Sequence, residues 1–254
     1  MVVLPFGWHL KMARNEPRRR GVCAICGRIA ALTRDHLPPK GLFDSPLPVD
    51  LLTVQACASC NGQSNGDDEY FRNMIAMSEY RGNSSRAIAA SEAAIRSIRR
   101  SNRHKNELRN TLKNVVQVDD VGNVVSNRLA TNVDAERMSR VIVRICRGIF
   151  FLETGRVMNN GIEITVDVPE TFDSLDNETQ ALMTKQLLIP LKTVKENIFA
   201  ETLFRYKFQN PDPSTDTSVW WMVFYNTLPV LCMAGDTKNM AEQNHAPKSA
   251  IGRI

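Results

Sequence analysis

The chain has 254 residues, of which 43% are hydrophobic and 23% charged, and its net charge is +5. That length suits one large domain or two modest ones, and no run approaches the eighteen or so consecutive apolar residues of a membrane helix. Six cysteines in so long a chain do not make a disulfide scaffold. The apolar opening MVVLPFGWHL precedes its basic residues, the reverse of a secretory signal, so the sequence reads as cytoplasmic.

The charge is unevenly spread: residues 1–40 carry a net +6, 41–80 a net −5, 81–113 a net +7 and the remainder a net −3. Residues 1–20 end in Pro17-Arg18-Arg19-Arg20 and read as a basic arm. Residues 21–66 are rich in Gly, Pro, Cys and Asn and too poor in apolar periodicity to order themselves without a metal staple. Asp67-Asp68-Glu69 then opens a helix whose apolar positions are Phe71, Met74, Ile75 and Met77, running to about Tyr80. Gly82-Asn83-Ser84 breaks it. Residues 85–113 read as one long or two shorter Arg-rich helices with a stripe at Ile88, Ala94, Ile95 and Ile98.

Val115–Val118 and Val124-Val125 flank Asp119–Asn123 as a hairpin. Asp134 caps a helix ending at Gly155, with Met138, Val141, Ile145, Ile149 and Leu152 as its buried stripe. Its arginines 137, 140, 144 and 147 share a face bordering that stripe, suited to a phosphate backbone, an acidic partner or a solvated flank. Ile162–Val168 alternates as a strand, 177–196 is helical with an interruption at Pro190, and 200–209 and 218–234 read as antiparallel strands turning near Asn226-Thr227. Within the last, Val219–Tyr225 reads as a core strand, base stacking by Trp220 or Trp221 being the alternative. Cys146 and Cys232 read as buried thiols, and the tail from Lys238 is polar.

The chemistry concentrates in two C-x-x-C pairs, Cys23/Cys26 and Cys57/Cys60, thirty residues apart. Two such knuckles present four thiolates, which suits a tetrahedral structural Zn2+. Between them lies Thr33-Arg34-Asp35-His36-Leu37-Pro38-Pro39-Lys40, and Asn61 follows the last cysteine directly.

C-x-x-C, an Asp-His pair before a proline-bearing loop, then C-x-x-C-N resembles the zinc-containing branch of the HNH, or His-Me finger, endonucleases. The resemblance covers about residues 21–80. It implies a hairpin–loop–helix core in which His36 is the general base that activates water. It further implies that Asp35 and Asn61 hold a catalytic Mg2+ or Mn2+, two protein ligands being sufficient for a hard cation that keeps several waters. Asn61 stands where the motif's final His would be, an oxygen ligand suited to Mg2+. Asp50 lies nearest the place of the motif's middle Asn and would brace the loop by accepting backbone N–H groups. Arg34 and Lys40, with Arg96, Arg99 and Arg100 in the second basic block, are the candidate phosphate contacts. Asn61 also suits a helix cap, and Asp67, Asp68 and Glu69 suit a helix N-terminus better than a metal site.

The expected fold is α+β: a basic arm (1–20), a small zinc-bound ββα-metal nuclease domain (21–82), a basic helical connector (83–114), a mixed helical and antiparallel-sheet domain (115–237) and a tail (238–254). The expected function is metal-dependent cleavage of nucleic acid, DNA rather than RNA. Two alternatives stand beside it: a non-catalytic zinc-stabilised nucleic-acid-binding module, and a nuclease effector of a defence or toxin system regulated through the C-terminal domain. That domain is also the expected contact for a homodimer or a regulatory partner.

Overall fold

A computed structural model describes residues 19–62, 65–78, 83–119, 121–168, 176–185, 189–200 and 203–235. Most of the basic arm and all of the tail lie outside the described residues.

Strand β1 (Arg20–Val22) pairs antiparallel with β2 (Ile29–Leu37), and β2 pairs antiparallel with β3 (Leu52–Cys57). The turn between β1 and β2 holds the first cysteine pair. A loop with a single 3₁₀ turn at Lys40–Leu42 joins β2 to β3. Two short-range helices follow: α1 (Ala58–Gly62) and α2 (Asn65–Met77), the latter with Asp67 and Asp68 in its first turn. Carboxylates there complement the positive end of the helix dipole.

The basic block forms two helices, α3 (Ser85–Arg100) and α4 (Asn102–Thr111). Ser84 caps α3 by accepting the Ala87 amide at 3.2 Å. The buried stripe of α3 differs from the expected one: Ala87, Ala90, Ala94 and Ile98 are buried, while Ile88 is 47% exposed. Small residues at i, i+3, i+7 bring α3 close to α2, and this contact outweighs the larger but misaligned Ile88. Next come β4 (Leu112–Val118) and β5 (Val124–Thr131), an antiparallel two-stranded ribbon.

Helix α5 (Ala135–Thr154) begins and ends as its sequence indicates. Asp134 accepts the Arg137 amide at 3.2 Å, and Gly155 closes the helix at φ 69°. Leu152, expected in the core, is 42% exposed, whereas Ile142, Cys146 and Phe150 are buried. The wider face reflects partners on two sides, since α5 packs against β2 and α2 as well as the C-terminal sheet. Gly148 permits the approach to β2: a Cβ there would lie 2.1 Å from Leu37 Cδ1.

The C-terminal sheet comprises β6 (Glu163–Asp167), β7 (Asn197–Phe199), β8 (Phe204–Gln209), β9 (Ser218–Phe224) and β10 (Leu228–Gly235) in the order β6-β10-β9-β8-β7, every pair antiparallel. Short helices α6 (Asn177–Met183) and α7 (Ile189–Thr193) precede β7. Strand β7 was not legible as a strand; it is a three-residue edge. Pro190 sits inside the first turn of α7, where a missing amide costs nothing.

The protein is thus mixed α+β with antiparallel sheets. One buried apolar cluster takes in Cys23, Leu37, Phe71, Ile145, Phe204 and Trp220. Phe71 meets Phe224 edge-on at 5.3 Å. Tyr225 donates its hydroxyl to the Leu42 carbonyl at 2.6 Å, and the Ala200 amide donates to Asp50 at 3.1 Å. Both contacts fasten the loop after His36 to the sheet. Among the described residues no helix is long and apolar enough to cross a membrane.

Candidate metal centre and carboxylate–histidine site

The four predicted cysteines come together. Cys23 and Cys26 lie on the turn after β1, where Gly27 at φ 73° donates its amide to the Cys23 carbonyl at 2.8 Å; the left-handed conformation favours glycine. Cys57 ends β3 and Cys60 lies in α1. Their sulfurs lie within 4.8 Å of one another. Cys26 Sγ stands 3.8 Å from Cys57 Sγ, and the edge of a tetrahedron with Zn–S bonds of about 2.3 Å is about 3.8 Å. Among the described residues this tetrad is the only group of three or more His, Cys, Asp or Glu arranged to hold a metal ion, and its all-thiolate set suits zinc.

The surroundings favour thiolate at Cys26 and Cys57 and oppose it at Cys23 and Cys60, where burial pushes the thiol up. The Cys57 amide donates to Cys23 Sγ at 3.3 Å and Arg28 Nε to Cys26 Sγ at 3.5 Å. Burial pushes the Cys57 thiol up, but the Ser59 hydroxyl, 3.0 Å away, and the Cys60 amide outweigh it and draw it down to about 6. Burial and the neighbouring sulfurs push Cys60 up. Four thiolates this close repel one another, and a dication removes the conflict.

Asp35 and His36 directly precede Leu37, the last residue of β2, and alternation sends them to opposite faces. Asp35 is buried and His36 half-buried. Burial holds the imidazole below its ordinary pKa, Lys40 and Arg34 add to this, and Asp35 opposes it; the ring is neutral near pH 7 and able to accept a proton. Asn61 reaches back to the same strand, donating Nδ2 to Thr33 Oγ1 at 2.9 Å and to the Arg34 carbonyl at 3.1 Å. Thr33 and Asp35 share a face of β2, so Asn61 and Asp35 approach from one side. The amide nitrogen faces the strand.

Sequence reasoning did not foresee what Asp35 touches. Arg144 of α5, 5% exposed, places Nη1 3.4 Å from both carboxylate oxygens of Asp35 and Nη2 2.5 Å from Asp68 Oδ1. Among the described residues Asp35 Oδ2 accepts no hydrogen bond despite its burial, although it lies within ion-pair distance of Arg144. Burial pushes the Asp35 carboxyl up against the pull of Arg144 and likewise raises Asp68 to about 6.

The remaining arginines of the α5 stripe are also engaged. Arg137 binds Asp67 at 2.9 Å and pairs with Glu107; Arg140 binds Asp67 at 2.8 Å; Arg147 donates to the carbonyls of Met158, Asn159 and Ile162. The stripe is therefore mainly a clamp between α5 and the acidic start of α2, not a row of free cations. Its i, i+3, i+4 spacing and the opposite charge of Asp67-Asp68 were the available signals. A groove of about 830 Å³ opens beside this clamp, lined by Cys60, Asp67, Arg140, Arg144 and Arg147 among others.

Arg34 and Lys40 are exposed next to His36. Arg96, Arg99 and Arg100 are exposed on the C-terminal half of α3, with Arg96 3.6 Å from Glu92. That helix reaches the site through α2, Ser97 donating to Glu69 at 3.2 Å. Trp220 is wholly buried, so it is a core residue and offers no face to a base. Asp50 accepts an amide as expected, but from the distant Ala200 instead of its own loop.

Comparison of the chain with protein-family models, with curated proteins and with solved structures finds no match. The functional reading therefore rests on the site itself.

Proposed function

We propose that this chain is a metal-dependent endonuclease of the HNH kind, stapled by zinc and acting on DNA, with His36 as general base. The observation that carries this reading is the convergence on the end of β2: Asp35 and His36 adjoin on opposite faces, and Asn61, directly after the last cysteine, is hydrogen-bonded onto that strand. His36 is neutral and half-buried, able to take a proton from water as it attacks phosphorus. A divalent cation such as Mg2+, with Asp35 and Asn61 as its protein ligands, would neutralise the charge that develops on the phosphate. The buried Asp35 oxygen that accepts no hydrogen bond fits such a ligand role. Arg34 and Lys40 beside His36 suit the flanking phosphates, and Arg96, Arg99 and Arg100 suit a more distant stretch of backbone.

One observation favours a second reading. Arg144 already neutralises Asp35 and Asp68 from within the fold, as it would in a non-catalytic zinc module that only binds nucleic acid. Incubating plasmid with the purified chain in Mg2+, Mn2+ or EDTA separates the two. The nuclease reading expects nicking with either metal and none in EDTA; binding without nicking under all three conditions selects the binding module.

A further inference from the structure

The β4–β5 ribbon is the least covered element of the described chain. It pairs only with itself as a sheet, so both strands have an open edge. Val115, Val116, Val121, Val124 and Val125 are between 40% and 81% exposed. An isolated two-stranded hairpin is marginal in water, and an open apolar edge is a template for another strand. From Asn114 to Asn127 the ribbon carries Asp119 and Asp120 and no Lys or Arg, so its outer half repels a polyanion and does not suit insertion into a nucleic-acid groove.

We propose that the ribbon is a homodimer interface, formed by antiparallel pairing of β4 with β4 of a second copy of this chain about a two-fold axis at Val116. Self-complementarity argues for this occupant. Centring the axis on Val116 sets Lys113 of each copy opposite Asp119 of the other, whose exposed carboxylate also accepts the Val121 and Asn123 amides of the turn; this gives two opposite-charge pairs at the ends of an otherwise uncharged edge. The product is a four-stranded sheet, above the minimum for a self-supporting one, and an isologous contact that closes without further growth. Strand β5 offers no such pair, since its sequence carries no carboxylate. The inference is independent of the nuclease reading.

Sedimentation of the full chain over a range of micromolar concentrations tests it. The wild type is expected to approach twice the 28.6 kDa of one chain. Val116→Lys, at an exposed position, is expected to keep the circular dichroism of the wild type and sediment as a monomer. Lys113→Glu sets like charges opposite each other and is expected to weaken the dimer roughly tenfold, which decides the matter should Val116→Lys fail to fold. Ile198→Lys, at an exposed position on β7, is expected to remain dimeric. A wild type monomeric throughout the range, or dimers unaffected by the β4 substitutions, would overturn the proposal.

Discussion

Arg144, near the middle of α5, lies against Asp35 on β2 with both residues almost wholly buried, although 109 positions separate them in the chain. Its other nitrogen holds Asp68 at the start of α2. Three elements thus meet at one guanidinium, and the residue proposed as a metal ligand is positioned by a helix outside the zinc segment. Removing one partner of a buried pair strands the other charge. Arg144→Ala should therefore cost about 3–5 kcal/mol, read as a lowered denaturation midpoint; a loss no larger than that of a surface substitution would contradict the burial argument.

Asp68 gives this cluster a pH signature. Its carboxyl rises from an ordinary 3.8 to about 6 because burial outweighs Arg144. Between those values the folded state binds more protons than the unfolded one, so this group's contribution to stability falls as pH rises from about 4 to about 6. Asp68→Asn lacks that term. The melting temperature of the variant, measured relative to wild type, should climb across this window; a constant difference from pH 4 to 6.5 would mean that Asp68 titrates normally.

The sequence disclosed what is encoded locally. The two cysteine pairs, Asp134 and Gly155 at the ends of α5, and the turn near Asn226 each carry their reason within a few residues. The Asp35–Arg144–Asp68 cluster does not, because an Arg stripe on a helix has the same pattern whether it faces solvent or a distant acidic turn. The misassigned Ile88 and Leu152 fail for a related cause: periodicity indicates that a face is buried, whereas the exact face depends on how many neighbours the helix has. Strand β7 is too short for any period to show.

Gly148 is where α5 touches the strand that bears His36. Gly148→Val forces a side chain into Leu37, which is wholly buried in the core. Overpacking of this kind costs about 1–3 kcal/mol, and the proposed nuclease activity should fall with it, since Leu37 adjoins His36. Unchanged stability in urea would show that α5 and β2 are not in close contact.

Zinc removal tests the staple. The purified chain should contain one zinc per molecule, bound by the tetrad. Cys57→Ser should lose the metal and, with it, the order of residues 19–62, seen as new proteolytic cleavage there. A well-folded protein without zinc would contradict this.

The proposed base catalysis by His36 is read from the rate of plasmid nicking in Mg2+ by wild type and His36→Ala. Zinc content and DNA affinity should be measured on the same samples. The wild type should nick in a way that EDTA abolishes, and the variant's rate should fall about 10²–10⁴-fold, with zinc and affinity unchanged and no rescue by added Mn2+. Equal metal-dependent nicking by both proteins, or none by the wild type, would contradict the proposal.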